Sequence, residues 1–165
     1  MKIALITDTH FGARNDNVIF SNYFRKFYDN VFFPRIEEYN IKACIHLGDV
    51  VDRRKYINFK TANDLRENFV DRLWKMGVDT HFIIGNHDIF YKNDNSVNSI
   101  KPILRGYKNL KLIDKITFFK VEDKNFVMVP WINNDNFEEI LDTLKGQEPE
   151  VSNSYVLGHF GFDGL

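Results

Sequence analysis

Three short apolar segments of the chain each end in residues whose side chains can coordinate a metal. The segments and the residues that follow them are residues 2–7 before Asp8-Thr9-His10, residues 43–47 before Gly48-Asp49, and residues 78–84 before Gly85-Asn86-His87-Asp88. Apolar runs of this length are typical of buried strands, and the first polar residue beyond such a strand lies at the rim of a sheet. The pattern therefore predicts a sheet with Asp, Asn and His side chains gathered along one edge.

The segments between these strands have helical periodicity. Apolar residues recur every three to four positions over residues 18–39, where Pro34 predicts a kink, and over residues 59–76, where Gly77 predicts the helix end. Strands that alternate with helices pair in parallel through right-handed crossovers. The first half therefore predicts an α/β fold, and the hairpin-like second half predicts that the sheets are mixed.

Shorter elements are expected in the second half. The predictions are an irregular segment at 89–99, a helix at 97–105, strands at 110–113, 116–121 and 126–130 with a turn at 123–125, a helix at 137–144, a polar linker at 146–153, and a last strand at 155–157 before Gly158-His159. Neither an internal repeat nor a low-complexity tract is visible. We therefore expect residues 1–165 to form a single domain.

Composition limits the classes of protein to consider. The 165 residues are 44% hydrophobic, which is enough for one core, and the net charge of −1 leaves no overall basic surface for nucleic acid. The single cysteine, Cys44, excludes an internal disulfide and is expected to be buried, as are the strand histidines His46 and His81. Neither a signal peptide nor an apolar run of about 20 residues is present, so we expect a soluble, cytoplasmic protein without membrane association.

The polar strand ends predict a site for two divalent cations. Residues two apart in an extended backbone point the same way, so Asp8 and His10 can bind one ion. Asp49 has two carboxylate oxygens and can bridge two ions, while Asn86 offers an amide oxygen and His159 a further imidazole. Oxygen and imidazole donors without thiolate favour Mn²⁺, with Mg²⁺, Fe²⁺ and Zn²⁺ as alternatives. Two such ions can bind a hydroxide and a phosphoryl group for in-line attack.

The motifs together resemble those of the calcineurin-like metallophosphoesterases. Within that superfamily the chain is most similar to the SbcD-type DNA nuclease subunits and to the recombination endonuclease subunit of T-even-like phages. The stretches that carry the resemblance are Asp8-x-His10, Gly48-Asp49-Val50-Val51-Asp52-Arg53-Arg54-Lys55, Gly85-Asn86-His87-Asp88-Ile89-Phe90-Tyr91-Lys92, Val129-Pro130-Trp131-Ile132 and Gly158-His159-Phe160. The resemblance implies an α/β sandwich of two mixed β-sheets flanked by helices.

The resemblance also implies a ligand set. Asp8 and His10 would bind the first metal, Asp49 would bridge the two metals, and Asn86 and His159 would bind the second. The family has a later Gly-His-x-His motif that gives each metal another histidine, and no such motif occurs up to residue 165. We therefore expect the sequence to be an N-terminal portion with an incomplete metal shell.

Two more residues receive roles from the same resemblance, and two basic residues are candidates for phosphate contact by their charge alone. His87 would contact the scissile phosphate or the leaving oxygen, and Asp52 would orient the His87 ring. Arg53 and Arg54 would contact a phosphate backbone, although a run of charges is more often a solvated face.

The implied function is a metal-dependent phosphodiesterase that cleaves DNA. Its implied partners are DNA, an SMC-like ATPase subunit of the SbcC type, and a second copy of the chain, in the host cytoplasm if a phage encodes it. The resemblance places the homodimer contact on the helices at 59–76 and 97–105. The apolar residues Tyr56, Ile57, Phe59, Leu104 and Tyr107 also indicate a contact there, with satellite core as the alternative. Two other functions remain open, a phosphatase or phosphodiesterase for small or protein substrates and a non-catalytic scaffold of the same fold.

Overall fold

Parallel strands form the central sheet of the computed structural model, which describes residues 2–161. The strands are β1 (Ile3–Ile6), β2 (Ala43–His46), β3 (Asp79–Ile83), β4 (Ile89–Tyr91), β5 (Asp94–Asn98), β6 (Leu110–Ile113), β7 (Thr117–Val121), β8 (Lys124–Val129) and β9 (Ser154–Gly158). The central sheet has the order β1-β2-β3-β6, β4 pairs with β5, and a third sheet has the order β7-β8-β9. Parallel pairing of the first three strands confirms the sequence-based prediction.

All strand pairs described in the central sheet are parallel. Both sheets were predicted to combine parallel and antiparallel pairs, and among the described residues the third sheet alone does so. There β7 and β8 are antiparallel, whereas β8 and β9 are parallel. In the central sheet Ile6 pairs with His46 and His46 with Phe82, so β1, β2 and β3 end side by side. The polar residues that follow these strands are therefore brought to one edge, where ligands of open α/β sheets bind.

The helices lie mainly between the parallel strands. They are α1 (Ala13–Asp16), α2 (Val18–Phe27), α3 (Phe33–Glu38), α4 (Phe59–Leu65), α5 (Asp71–Lys75), α6 (Ile100–Ile103), α7 (Phe137–Gly146) and α8 (Glu148–Val151), with π-helical segments at Tyr28–Phe32 and Arg66–Val70. None of the helices within residues 2–161 is long and apolar enough to span a lipid bilayer.

Pro34 changes the winding of the first long helix without ending it. The Phe33 N–H bonds to the carbonyl of Tyr28, five residues back, and this wider π-turn lies immediately before the proline. Proline lacks an N–H and its ring clashes with the carbonyl four residues back, which a π-turn accommodates. The second long helix contains a similar π-turn and stops, as predicted, at Gly77, whose φ is +64°.

The inner strands of the central sheet, β2 and β3, are buried on both faces, whereas the edge strand β1 is only partly buried. On one face Cys44 and Phe82 pack with the helices around Phe69, which is fully buried. On the other face Ile45 and Ile83 pack with residues of the third sheet. Two apolar faces explain the nearly continuous apolar sequence of β2 and β3. Cys44 is buried as predicted, and burial raises the pKa of its thiol to about 12.

Several local predictions for the second half were wrong. The segment expected to be irregular forms the hairpin β4–β5, and the helix expected at 97–105 is limited to Ile100–Ile103. The hairpin depends on long-range bonds, since Asn95 Nδ2 donates to the Trp131 carbonyl at 2.9 Å. The β7–β8 turn lies one residue earlier than expected, at Glu122 with φ of 51°, and the predicted polar linker contains α8.

Candidate metal centre

Asp8 and His10 follow β1 in a left-handed conformation, with φ of 53° and 40°. The expectation that extended backbone aligns them was therefore wrong. Their backbone N–H groups instead donate to the carbonyls of Gly48 and Asp49, both at 3.1 Å, and these bonds fix the unusual dihedrals. The two side chains still meet, because His10 Nε2 lies 3.4 Å from Asp8 Oδ1. The two side chains are close together as predicted, but the backbone bonds to Gly48 and Asp49, and not an extended backbone, bring them together.

Asp49 occupies the middle of the site. Its side chain is buried, and Oδ1 accepts a hydrogen bond from the His87 backbone N–H at 2.9 Å. Its other oxygen, Oδ2, lies 3.7 Å from His10 Nε2 and 3.5 Å from His159 Nε2. One carboxylate oxygen therefore faces an imidazole on either side, which is the arrangement expected of a bridging ligand.

His159 joins the site from the end of β9, more than a hundred residues along the chain. Its Nδ1 lies 3.1 Å from the Leu47 carbonyl, and its Nε2 lies 3.1 Å from Asn86 Oδ1. A neutral imidazole has one N–H, and a hydrogen bond from Nδ1 to Leu47 leaves Nε2 as an acceptor. Nε2 then faces the acceptor oxygens of Asn86 and Asp49, and a cation among these three atoms would satisfy them all.

His87 and Asp52 make a different contact from the one expected. The Nδ1 atom of His87 lies 2.5 Å from the main-chain carbonyl of Asp52, so the backbone orients the ring. The Asp52 carboxylate lies near another histidine, with Oδ1 3.6 Å from His10 Nδ1, just beyond hydrogen-bonding range. The His10 and His87 rings meet edge to face, with centroids 5.1 Å apart.

The donor atoms form two groups that share Asp49. One group is His10, Asp49 and His87, the other is Asp8, Asp49 and His159, and within each group the donor atoms lie within 4.8 Å of one another. Oxygen and imidazole donors fit a hard or borderline divalent cation, and within residues 2–161 no cysteine joins either group. His87, predicted to contact substrate, is thus also close enough to offer a nitrogen to the first group.

The motif glycines make room for the ligands. A Cβ atom on Gly85 would lie 2.3 Å from both the backbone N and Oδ1 of Asp49. Gly48 has a φ of +107°, and a Cβ there would lie 2.8 Å from His159 Nδ1. These separations are far below van der Waals contact, so neither position accepts a side chain without moving a candidate ligand.

Asp88 is a residue of the site to which the sequence assigned no role. Its carboxylate is fully buried and accepts backbone N–H bonds from Val50 at 2.9 Å, Val51 at 3.1 Å and Gly85 at 2.9 Å. Burial raises the pKa of this carboxyl to about 7, against the opposing effect of the three N–H groups. Asp88 thereby ties the loop after β2 to the loop after β3. The position of Asp88 at the end of the Gly-Asn-His-Asp motif was the sequence feature that could have indicated this role.

Three further polar residues singled out in the sequence lie outside the two groups of donor atoms. His46 and His81 are buried in β2 and β3 as predicted. Arg53 is engaged within the chain, with Nη2 2.8 Å from Asp16 Oδ2 and Nη1 donating to the Tyr56 hydroxyl at 2.9 Å. These contacts occupy the guanidinium that was expected to bind phosphate.

Comparison with known proteins agrees with the resemblance. The profile of the calcineurin-like phosphoesterase family matches residues 1–164. Exonuclease subunit 1 of Enterobacteria phage T4 is 32% identical over 168 residues, which is 100% of this chain and 47% of that protein. The putative phosphoesterase 244L of Invertebrate iridescent virus 6 is 26% identical over 88% of this chain and 49% of that protein.

A third relative is the DNA double-strand break repair protein Mre11 of Sulfolobus acidocaldarius, 26% identical over 98% of this chain and 41% of that protein. The chain therefore spans about half the length of the curated relatives it matches. Calcineurin-like phosphoesterases use divalent metal ions, which agrees with the two groups of donor atoms around Asp49. The family match covers nearly the whole sequence, and the chain belongs to the calcineurin-like phosphoesterase family.

Proposed function

We propose that the chain is the catalytic part of a metal-dependent phosphodiesterase that cleaves DNA. The observation that carries the proposal is Asp49 Oδ2, which lies 3.7 Å from His10 Nε2 and 3.5 Å from His159 Nε2 at the edge of a parallel sheet. Two relatives support the choice of DNA, because their names describe an exonuclease subunit and a DNA double-strand break repair protein. We infer that residues 1–165 belong to one catalytic domain.

The proposed ligands are those that the family resemblance implies, and they pair the residues differently from the two groups of donor atoms, which place Asp8 with His159 and His10 with His87. Asp8 and His10 would hold one divalent cation, Asn86 and His159 the other, and Asp49 would contact both. Mn²⁺ is our first choice, with Mg²⁺ and Fe²⁺ as alternatives, because oxygen donors dominate and imidazole is present. When bound, the cations would supply an activated water and neutralise charge on the phosphoryl group.

His87 is proposed to act on the substrate. Its Nδ1 is directed to the Asp52 carbonyl, which leaves Nε2 as the atom that exchanges a proton with the leaving oxygen or contacts the phosphate. We expect His87→Ala to lose about 10²–10⁴-fold in rate, the usual contribution of acid–base catalysis, and to keep both cations. Loss of one bound cation in step with activity would show instead that His87 is a ligand.

A basic groove beside the site supports a polymeric substrate. Its lining is largely apolar, with Phe59 and Val97 among the lining residues, but it includes the basic side chains of Arg54, Lys55 and Arg66, and none of its described lining residues is acidic. Cationic side chains that face a groove bind the phosphates of nucleic acids irrespective of base sequence. Arg54 is therefore our main candidate for phosphate contact, since the guanidinium of Arg53 is already engaged.

Hydrolysis of matched substrates with Mn²⁺ tests the function. Single- and double-stranded DNA, a small phosphodiester and a small phosphomonoester are compared for wild type and Asp49→Asn, which keeps shape and removes charge. We expect DNA and the diester to be cleaved by wild type alone. Preference for the monoester would favour the phosphatase alternative. Absence of Mn²⁺-dependent cleavage in the full-length protein would favour the scaffold alternative.

We propose DNA, an SMC-like ATPase subunit and a second copy of the chain as partners, in the cytoplasm of the host cell. The name "subunit 1" of the phage T4 relative supports the idea of a complex. For the homodimer, Leu104 is 7% exposed and packs in the core, so for this residue the satellite-core alternative holds. Phe59 is 95% exposed and Tyr56 is 62% exposed, and these apolar side chains now carry the proposal.

Sedimentation equilibrium at micromolar concentration tests the dimer. Phe59→Asp is expected to shift a wild-type dimer to monomer, because it places a charge in the proposed apolar contact. Lys60→Asp is the control, since the neighbouring residue is exposed but polar. A wild-type monomer, or a dimer that both variants leave unchanged, would contradict this interface.

A further inference from the structure

Thr9 lies between two proposed metal ligands, yet its own side chain is directed into the protein. The residue is 4% exposed, although Asp8 and His10 on either side reach the site. Its Oγ1 lies 2.9 Å from His46 Nε2 and 3.2 Å from the carbonyl oxygen of Val50. These contacts connect the loop after β1 to the strand and loop of β2.

The hydrogen bonds of His46 have a defined direction. The Gly48 backbone N–H donates to His46 Nδ1 at 3.2 Å, so Nδ1 is an acceptor and the ring proton is on Nε2. Nε2–H then donates to Thr9 Oγ1, and the Thr9 hydroxyl donates to the Val50 carbonyl. Burial lowers the pKa of His46 to about 3, which agrees with a neutral ring. Each donor in this series of hydrogen bonds has one acceptor.

Aromatic neighbours restrict the His46 ring. Phe82 stacks on it with centroids 5.6 Å apart and an interplanar angle of 13°, and Phe69 meets it edge-on at 6.0 Å. His46 itself is fully buried. A ring held between two buried aromatic residues cannot follow a shift of either loop without disturbing the core.

The ends of this chain of hydrogen bonds adjoin the proposed ligands. Gly48 and Val50 immediately precede and follow Asp49, while Thr9 separates Asp8 from His10. This series of hydrogen bonds therefore connects two loops whose side chains must converge on the same cations. Backbone bonds pair these loops along their edges, and the Thr9–His46 contact is a side-chain connection between them in the interior.

We propose that Thr9 and His46 are positioning residues, which set the distance of Asp8 and His10 from Asp49 and thereby the affinity for divalent cations. The inference rests on the proposed metal centre. It differs from a purely structural role in one consequence: cation affinity depends on this pair more than on other equally buried polar contacts.

The matched test is Thr9→Val against Thr80→Val. Thr80 is fully buried in β3, and its hydroxyl donates to a backbone carbonyl, that of Val78, at 3.1 Å. It lies at the opposite end of the sheet from the site, since β3 begins at Asp79. Both substitutions remove a buried hydroxyl and keep the side-chain shape. Thr9→Val also leaves the His46 Nε2–H without an acceptor, whereas the Val78 carbonyl keeps the Asn109 side chain as a donor, so the two variants are compared by their cation affinity and not by their stability.

Titration of the metal-free protein with Mn²⁺ alone, followed by calorimetry, gives the readout. We expect Thr9→Val to raise the dissociation constant about 10-fold, the lower end of the effect of losing a direct partner of a ligand, because Thr9 bonds to residues that flank the ligands, and we expect Thr80→Val to leave it unchanged. Thr9→Ser, which keeps the hydroxyl, is expected to restore wild-type affinity. Equal affinity of Thr9→Val and wild type, or equal weakening by both valine variants, would overturn the inference.

Variants of His46 provide a second measurement if Thr9→Val does not fold. His46→Gln can keep the donor to Thr9, and His46→Asn can keep the acceptor for the Gly48 N–H. We expect His46→Asn, which loses the donor to Thr9, to bind Mn²⁺ more weakly than His46→Gln, and equal affinity of the two variants would overturn the inference. A wild-type protein that binds no Mn²⁺ would refute the metal centre itself, which is a different result from a wild type and Thr9→Val that bind equally.

Discussion

Removal of the Asp88 carboxylate should separate the two loops that carry Asp49 and Asn86. The carboxylate accepts the backbone N–H groups of Val50, Val51 and Gly85, and all three residues are buried. In Asp88→Ala these donors lose their acceptor in the interior. The loops then have fewer contacts to hold them together beneath the site.

The magnitude follows from the three unpaired donors. A buried donor without a partner costs about 1–3 kcal/mol, so three would cost about 3–9 kcal/mol if nothing replaced the carboxylate. Water can enter the vacated polar space, and removal of the carboxylate also relieves the cost of burying its charge, so we expect a loss at the lower end of this range, about 3–5 kcal/mol. Asp88→Asn keeps one oxygen but places an amide N–H₂ against one donor, and we expect a loss of about 1–3 kcal/mol.

Urea denaturation of the metal-free protein at pH 8 is the assay. This pH lies above the raised pKa of about 7 of Asp88, so that the wild-type carboxyl is ionised. Asp94→Ala is the control, because within the described part of the chain that carboxylate accepts hydrogen bonds from Ser96 alone, near the surface. The reasoning would be refuted if Asp88→Ala and Asp94→Ala shifted the denaturation midpoint equally, or if Asp88→Asn were as destabilising as Asp88→Ala.

Three further predictions concern other parts of the structure. Gly85→Ala should lose about 1–3 kcal/mol of stability and weaken Mn²⁺ binding in calorimetry, because its Cβ would lie 2.3 Å from the backbone N of Asp49. Phe69→Ala should lose about 3–5 kcal/mol in urea denaturation, whereas Ile19→Ala, at an exposed residue, should change stability by less than about 0.5 kcal/mol. Burial lowers the pKa of His81 to about 4, so stability should fall as pH falls from 6.5 towards 4, and thermal unfolding of His81→Gln should show a weaker fall.

The chemistry of the site was largely predictable from the sequence. Residues 2–7, 43–47 and 78–84 are apolar in a pattern that only buried strands satisfy, and polar residues directly after them must lie at a sheet edge. Residue type and short-range periodicity are local properties, so they fixed the kinds of donor atoms and their approximate place. The helices followed for the same reason, including the end of the second at Gly77.

The directions of the side chains depended on tertiary structure. Asp8 and His10 have left-handed φ because their N–H groups bond to the carbonyls after β2, some forty residues away. The Asp52 main-chain carbonyl, instead of its carboxylate, contacts His87, and Leu104 is buried where the sequence indicated an exposed contact. These outcomes depend on which backbone groups form hydrogen bonds between loops, and the pattern of residue types along the sequence does not specify those bonds. The sequence thus determined which residues can bind a cation, while long-range hydrogen bonding decided how they face one another.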